Sequence, residues 1–347
     1  MREEGCDIII PVWNEQESTS ICIDKVREHT HGPYRLIIID NASGEATRRY
    51  LEGLRKDAPG TVLIRNEENL GFVKAVNQGI RSSAGRYICI LNNDTVVTED
   101  WLERLIDTCE KGPGAIGIAN PASNVFGDKA PYGGRYGWQE LDSARGFCML
   151  IKREVVERVG LFDEAYGMGY FEEKDFSRRA IEAGYICVKA GTSFVYHRDR
   201  LSFDKIKERD EIFRENEKLY NRKWGRPLSI AFIARSGSWL AGRRDAIYAL
   251  LNKGHRVNIF LPDGMARPRF KDHIQIRYFS AGRVLFSGSV LYRLWERRRK
   301  KKIDVVIPED DGMKRFLSGT KGMHGSDLFS GGDDALIAFC NAKSKEW

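Results

Sequence analysis

Short apolar runs alternate with amphipathic segments along the first 110 residues, and this alternation constrains the fold most strongly. The runs are Asp7–Val12, Arg35–Asp40, Thr61–Asn66 and Tyr87–Leu91, and helix patterns at 17–28, 46–56 and 71–82 separate them. Continuous apolar runs are typical of strands that are covered on both faces. Strands joined through helices form mostly parallel sheets with right-handed crossovers. The sequence therefore predicts an α/β fold with a mostly parallel central sheet and helices on both faces.

Polar residues follow each of these four runs. They are Trp13-Asn14-Glu15, Asp40-Asn41-Ala42-Ser43, Asn66–Gly71 and Asn92-Asn93-Asp94. Each group alone could be a helix cap or a turn. Ligands of such sheets bind beyond the carboxyl ends of the strands. Four polar groups at one sheet edge therefore predict a binding site.

The rest of the chain predicts a second domain. Residues 113–141 are rich in Gly, Pro and Tyr, which indicates a long loop. The following segments predict a strand at 146–151, a helix at 154–159, strands Ile186–Ala190 and Ser193–His197, and a charged helix at 201–224. A boundary is expected near Gly225-Arg226-Pro227, which gives domains 1–225 and 226–347. A new α/β pattern covers 228–308, and a ragged tail is expected after Asp310.

Composition excludes several classes of protein. There are 56 Lys and Arg against 49 Asp and Glu, a net charge of +7 with both signs interspersed. This balance suits a small polyanionic ligand and does not indicate nucleic-acid binding. Seven widely spaced cysteines favour reduced core thiols over disulfides or a zinc site. No signal-peptide layout and no apolar run of about 18 residues is present, so a cytoplasmic protein is expected.

An ordered set of motifs resembles the family 2 glycosyltransferases of the GT-A fold over about residues 5–225. The motifs are Ile8–Asn14, Ile37–Ser43, Asn69–Phe72, Leu91–Asp94, Gly146–Met149, Gly160–Glu164, Tyr170–Phe176, Ala183–Tyr185, Val195–His197 and Arg222–Gly225. The resemblance implies a GT-A nucleotide-diphospho-sugar transferase fold. It also implies metal-dependent, inverting transfer of a sugar from a nucleotide-diphosphate donor, with UDP or dTDP favoured. The acceptor would be a glycan or a lipid-linked molecule in cell-surface polysaccharide synthesis.

Two other functions stay open. A sugar-nucleotide pyrophosphorylase has a similar sheet, but it would usually carry a Gly-rich basic loop after the first strand, where this chain has Pro11–Glu15. An inactive carbohydrate- or nucleotide-binding scaffold is also consistent with the reduced acidic motif Asn92-Asn93-Asp94.

The expected cofactor is Mn²⁺ or Mg²⁺, because a divalent cation neutralises a diphosphate and stabilises it as a leaving group. Both ions prefer oxygen ligands. The resemblance implies that Asp94 is a metal ligand and that Asn93 faces the sugar or the ribose of the donor. It gives His197 a place in the metal shell or against the diphosphate. A turn at Asp94 and a structural role for His197 are the alternatives.

The resemblance also assigns donor-binding residues. Asp40 would accept from N3–H of uracil or thymine, while Pro11, Asn14 and Glu15 frame the same pocket. Lys74 would meet phosphate charge, unless it is an ordinary solvated helix residue.

Sugar transfer with inversion needs one base to take the acceptor proton. The resemblance places this base in an acidic pair at the start of a helix, which by register makes it Glu173, with Glu172 and Asp175 as competitors. Acidic residues in a first helical turn are also stabilised by the helix dipole without any catalytic role. Trp138 and Tyr132 are expected to form an acceptor platform, or else an ordinary surface loop.

The C-terminal segment weakly resembles the N-terminal half of a GT-B glycosyltransferase, through Ile230–Ile233, Gly242 and Leu250–Val257. A smaller Rossmann-like α/β domain without activity is expected. The six cations Arg297–Lys302 are either a solvated helix end or a contact with an anionic membrane, worth about 1 kcal/mol per residue near the surface.

Overall fold

The computed structural model describes residues 3–57, 60–133, 137–198, 208–283, 285–298, 302–319 and 326–346. The chain divides into two compact units, Met1–Leu219 and Tyr220–Trp347. The division lies a few residues before the boundary expected from the sequence. Within the described ranges, no helix combines the length and apolar character needed to cross a bilayer.

The N-terminal unit contains nine strands and seven α-helices within its described residues. The strands are β1 (Glu3–Val12), β2 (Tyr34–Asn41), β3 (Val62–Asn66), β4 (Gly85–Leu91), β5 (Thr95–Val97), β6 (Ile116–Ala122), β7 (Trp138–Leu141), β8 (Cys148–Lys152) and β9 (Ile186–His197). The helices are α1 (Gln16–His29), α2 (Glu45–Asp57), α3 (Phe72–Arg81), α4 (Trp101–Lys111), α5 (Arg153–Val159), α6 (Glu172–Glu182) and α7 (Arg209–Trp224), the last of which runs into the second unit.

All nine strands belong to one sheet, in the order β3-β2-β1-β4-β8-β6-β9-β5, with β7 paired to β9. Strands β1 to β4 are mutually parallel, whereas β8 runs antiparallel to both of its neighbours. The parallel half brings the carboxyl ends of its four strands to one edge. The polar groups that follow β1, β2, β3 and β4 therefore gather there, as the sequence predicted.

The core explains why the apolar runs are continuous. Ile8 and Ile10 join a cluster on one face of the sheet together with Ile38 and residues of α1 and α4. Ile9 is equally buried and faces α3. All seven cysteines are buried free thiols. Burial raises the pKa of the Cys22 thiol to about 12, so this thiol is a poor nucleophile.

Two sequence predictions for this unit were wrong. Residues 113–141 are not one long loop, because β6 and β7 lie within them. Gly, Asn and Pro interrupt the apolar pattern of β6, although the whole strand is buried. The two strands predicted at 186–190 and 193–197 are the single strand β9, whose register to β6 shifts near Gly191.

The C-terminal unit has a second sheet, in which all pairings are parallel. Its order is β12-β11-β10-β13-β14, formed by β10 (Ser229–Ile233), β11 (Arg256–Pro262), β12 (Ile276–Ala281), β13 (Val305–Pro308) and β14 (Asp327–Leu328). Its helices are α8 (Gly237–Gly242), α9 (Arg244–Asn252), α10 (Phe286–Arg298), α11 (Asp311–Ser318) and α12 (Asp333–Ser344). The tail after Asp310 is therefore largely helical, contrary to expectation. Helices α8 and α9 meet at Arg243. Of the basic run Arg297–Lys302, residues 299–301 lie outside the described residues, and its contact with a membrane stays a prediction. The likeness of this unit to half of a GT-B enzyme stays a prediction.

The packing of α3 on β1 generates a stability prediction. A Cβ on Gly79 of α3 would overlap the buried Ile9 side chain, whereas a Cβ on Gly53 of α2 would meet nothing. We expect Gly79→Ala to lower the free energy of unfolding by about 1–3 kcal/mol through overpacking. Gly53→Ala, the matched control, should raise it by up to about 1 kcal/mol through helix propensity. Denaturant titration of both variants measures this, and equal effects would contradict the packing.

Candidate functional site

A cleft of about 560 Å³ opens at the carboxyl edge of the parallel strands. Its lining residues come from the segments after β1, β2, β3 and β4 and from the loop before α6. They are Pro11, Val12, Trp13, Asn41, Asn69, Phe72, Asn92, Asn93, Asp94 and Met168. Sequence reasoning had named Pro11, Asn93 and Asp94 among them. We call this cavity the first cleft.

Asp94 and His197 lie side by side, although about a hundred residues separate them in the sequence. His197 Nε2 is 3.0 Å from Asp94 Oδ1, because β5 pairs with the end of β9 and places Thr95 opposite His197. Asp94 is 5% exposed, and its Oδ1 accepts no hydrogen bond from the described residues. A buried carboxylate oxygen beside an imidazole nitrogen fits two ligands of a divalent cation.

A second cleft of about 640 Å³ adjoins the first, since Phe72 and Asn92 line both. Its other lining residues are Val125, Arg145, Gly146, Phe147, Tyr170, Glu172, Glu173 and His197. The beginning of α6 and the end of β9 therefore both line the second cleft. The Asp94–His197 pair and the acidic pair of α6 therefore lie in two adjacent clefts.

Glu172 and Glu173 begin α6 but differ in their surroundings. Burial raises the pKa of the Glu172 carboxyl well above its usual range, and the neighbouring charge of Glu173 adds to this shift. Glu172 is 5% exposed, whereas Glu173 is half-buried. Burial therefore disfavours the charged form of Glu172 relative to an exposed carboxylate. Gly146 faces the pair, and a Cβ there would lie 3.7 Å from Glu172 Oε1.

Asp175, the third candidate base, is fully buried and lines neither cleft. Its Oδ2 accepts a hydrogen bond from Arg179 Nε at 2.8 Å. Arg179 also donates to the carbonyls of Val159 and Leu161. This ion pair connects α6 to the segment after α5.

The turn before α6 is strained. Tyr170 and Phe171 have φ values of 70° and 74°, a region that aromatic residues rarely adopt. Asn216 of α7 stabilises the turn, because its Nδ2 donates to the carbonyls of Tyr166 and Gly169 at 2.9 and 2.7 Å. Phe213 packs on both aromatic rings, with centroids 5.4 and 5.2 Å away. Helix α7 therefore fixes where α6 begins.

The other predicted donor residues surround the first cleft without lining it. Asn14 connects two loops, because its backbone N–H donates to Ser43 Oγ and its Oδ1 accepts from Gly44 N. Glu15 caps α1 in a left-handed conformation. Lys74 is exposed on α3.

Asp40 is 1% exposed at the end of β2. It accepts a hydrogen bond from the backbone N–H of Ser43 and forms an ion pair with Arg65. Its neighbour Asn41 reaches the first cleft and accepts from Leu70 N. The carboxylate thus lies just behind the cleft wall.

The predicted acceptor residues Trp138 and Tyr132 line neither cleft. Trp138 begins β7 opposite Ala190 and packs against the core. Tyr132 N donates to the carbonyl of Gly191, and Lys189 Nζ lies 5.0 Å from the Tyr132 ring. The structure thus places both residues against β9.

Sequence reasoning missed Phe72, Met168 and Arg145. Arg145 is presented beside Gly146 by the buried Asn120, which accepts from Arg145 N and donates to its carbonyl. The glycines around Met168 were the available signal, since Gly167 and Gly169 have positive φ values of 55° and 127°. No pattern pointed to Asn120, because one buried amide has no periodicity.

Comparison with known proteins identifies the architecture. Residues 7–160 match the sequence profile described as glycosyl transferase family 2, and they lie wholly within the N-terminal unit. Glycosyltransferase AglE of Haloferax volcanii is 26% identical over 190 residues, which cover 51% of this chain and 62% of AglE. Succinoglycan biosynthesis protein ExoM of Rhizobium meliloti is 28% identical over 153 residues, which cover 41% of this chain and 49% of ExoM. The chain spans about half the length of these relatives.

The crystal structure of GalNAc-T7 with UDP, GalNAc and Mn²⁺ has a similar fold. It superposes with a TM-score of 0.50 and 15% sequence identity, over 63% of this chain and 50% of that chain. The N-terminal unit therefore has the predicted GT-A fold.

The buried Glu172 generates a pH prediction. Its pKa is raised in the folded state above the value of about 4.3 expected on unfolding, so the native state binds more protons between these values. The free energy of unfolding should therefore fall as pH rises from about 4.3 through the raised pKa, by up to about 1.4 kcal/mol per pH unit. Glu172→Gln cannot titrate and should lose this decline.

Denaturant unfolding of both proteins across this pH range measures the difference. Glu154→Gln, at an exposed position of α5, is the control and should follow the unsubstituted protein. Parallel curves for the Glu172→Gln variant and the unsubstituted protein would show that the burial of Glu172 has no thermodynamic cost.

Proposed function

We propose that the N-terminal unit, a member of glycosyl transferase family 2, transfers a sugar from a nucleotide-diphosphate donor to a glycan or lipid-linked acceptor hydroxyl with inversion. The observation that carries this proposal is the adjacency of the two clefts, which share Phe72 and Asn92 in their walls. One cleft holds Asp94, and the other holds Glu173. A donor in the first cleft would present its anomeric carbon toward the second.

Asp94 and His197 would hold the divalent cation. The buried Oδ1 of Asp94 faces the imidazole at 3.0 Å, and diphosphate oxygens and water would complete the shell. A bound cation would neutralise the diphosphate and stabilise it as the leaving group. An imidazole ligand favours Mn²⁺ over Mg²⁺. Asn93 donates from Nδ2 to Thr19 Oγ1 at 2.9 Å, which fixes its side chain in the wall of the first cleft.

Glu173 would take the proton of the acceptor hydroxyl as it attacks the anomeric carbon from the face opposite the diphosphate. It lines the second cleft, where an acceptor has access. Glu172 is less suited because its side chain is buried, and Asp175 is paired with Arg179. We assign these two residues to positioning α6.

Asp40 would recognise the nucleotide base from behind Asn41. Its carboxylate has about four lone-pair sites. Ser43 N and Arg65 occupy two of them, which leaves a site for N3–H of uracil or thymine. Pro11, Asn14 and Glu15 would shape the same end of the cleft. Lys74 is exposed, and it would serve the diphosphate only with an extended side chain.

The base assignment predicts a separation of binding from transfer. Glu173→Gln preserves shape, so donor and metal affinity should stay within about twofold, while transfer falls at least about 10²-fold. Calorimetry with the donor and an acceptor-product assay measure the two properties. Glu154→Gln, at an exposed position of α5, is the matched control. Near-normal transfer by Glu173→Gln would move the base to Glu172 or Asp175.

The metal assignment predicts the opposite pattern. Asp94→Asn removes the anionic ligand, so donor binding should lose its dependence on Mn²⁺ and the rate should fall as well. Asp107→Asn on the exposed face of α4 is the control. An unchanged response of Asp94→Asn to Mn²⁺ would contradict the site.

The donor assignment predicts base selectivity. In a thermal-shift panel with Mn²⁺, UDP or dTDP should raise the melting temperature more than GDP, because ligand binding to the folded state adds stability. Asp40→Asn should reduce this difference. Equal shifts from all nucleotides would contradict the role of Asp40. Proton NMR of the product should show the anomer opposite to that of the donor.

A further inference from the structure

Arg145 differs from the other shielded arginines of the N-terminal unit in its charge pairing. Six arginines of this unit are buried or half-buried within the described residues. Five of them form ion pairs with a carboxylate, namely Arg35, Arg153, Arg178, Arg179 and Arg209. Arg145 is the sixth, and among the described residues its guanidinium donates one hydrogen bond, from Nη1 to Ser143 Oγ at 3.2 Å. Since a partly buried charge is usually paired, Arg145 is suited to pair with an anionic group of a ligand.

Two buried polar side chains fix the position of Arg145. Asn120 of β6 is fully buried, and it accepts from Arg145 N at 2.9 Å and donates to the Arg145 carbonyl at 2.8 Å. Ser143, which is 4% exposed, accepts from the guanidinium. The guanidinium carbon also lies 5.9 Å from the centre of the Phe126 ring. A side chain that is held at both ends loses less conformational freedom when it binds a ligand.

Arg145 belongs to the second cleft and does not line the first. It lines the second cleft together with Glu173, whereas Asp94 lines the first cleft. In the proposed function, the cation held by Asp94 meets the charge of the donor diphosphate in the first cleft. Arg145 is therefore placed to contact the molecule that enters beside Glu173, which is the acceptor.

The second cleft is polarised. A guanidinium presents a planar fork of N–H donors that matches a carboxylate or a phosphate. The rings of Phe126 and Phe147, with centroids 6.3 Å apart, lie beside it, and a less polar surrounding strengthens such a pair. Glu172 and Glu173 line the same cleft without forming an ion pair with Arg145. An anionic group is therefore favoured at Arg145 and disfavoured at the start of α6.

We infer that Arg145 binds a carboxylate or phosphate group of the acceptor, so that the acceptor of this chain is an acidic sugar or a glycosyl phosphate. The inference rests on the function proposed for the two clefts and adds the chemical class of the acceptor. The oxyanion pairs with Arg145 while a hydroxyl of the same molecule reaches Glu173. No bond forms or breaks at Arg145, which makes it a specificity-determining residue.

Calorimetry of the full chain with UDP and Mn²⁺ present tests the inference without any variant. For glucose, galactose and mannose, the probes are the methyl glycoside, the methyl glycoside of the uronic acid and the sugar 1-phosphate. For at least one sugar, we expect a charged probe to bind at least about tenfold more tightly than the neutral one. Preference for the 1-phosphate would indicate a glycosyl phosphate, and preference for the uronic acid an acidic glycan. Equal affinity of neutral and charged probes, or no binding of any charged probe, would overturn the inference.

Variants separate recognition of the anion from a general loss of charge. Arg145→Gln should weaken binding of the preferred charged probe at least about tenfold and remove its advantage over the neutral probe. Arg145→Lys keeps the charge without the fork and should restore part of the affinity. Arg158→Gln removes the same charge at an exposed position of α5 that lines neither cleft, and its affinity should stay within about twofold. Equal losses in Arg145→Gln and Arg158→Gln would contradict the assignment.

Two further measurements distinguish this inference from the proposed function. Weaker binding of UDP with Mn²⁺ by Arg145→Gln would place the guanidinium on the donor and overturn the inference. Transfer to neutral and charged acceptors with equal kcat/KM would also overturn it, while leaving the proposed function in place. If charged probes bind through Arg145 but receive no sugar from any nucleotide donor, the proposed function fails and the anion site stands.

Discussion

The antiparallel pairing of β5 with β9 is the interaction on which the site depends. It joins a three-residue strand that follows the first half of the sheet to the last strand of the unit, and in doing so it sets Asp94 against His197. The parallel half of the sheet supplies an edge lined with polar side chains, as such sheets generally do. Strand β9 brings His197 to that edge, where the imidazole lies beside the buried carboxylate of Asp94.

The sequence predicted the parallel half of the fold closely, because long buried strands and amphipathic helices have clear periods. The prediction was wrong where a buried strand lacks a continuous apolar sequence. Strand β6 is buried along its length but contains Gly117, Asn120 and Pro121, which are residue types typical of loops. The β9 strand contains Gly191, which looks like a break but only marks a register shift.

The site was predicted in part for the same physical reason. Residues at or just after the ends of strands, such as Pro11 and Asp94, could be located because the apolar run of each strand ends visibly in the sequence. Arg145 and Asn120 could not, since their importance comes from a hydrogen-bonded loop formed by distant parts of the chain. The roles given to Trp138 and Tyr132 rested on the aromatic character of their loop. The structure places these rings against β9, where packing is a sufficient reason for them.

The strained turn at Tyr170 and Phe171 has a consequence for where the part of the chain that forms the two clefts ends. The segment that matches the family profile ends at residue 160, before Glu173, His197 and Asn216. Because Asn216 holds the turn that places α6, a nascent chain would not have a complete site until helix α7 had been synthesised and docked. The match to the family profile therefore ends before the residues that complete the second cleft.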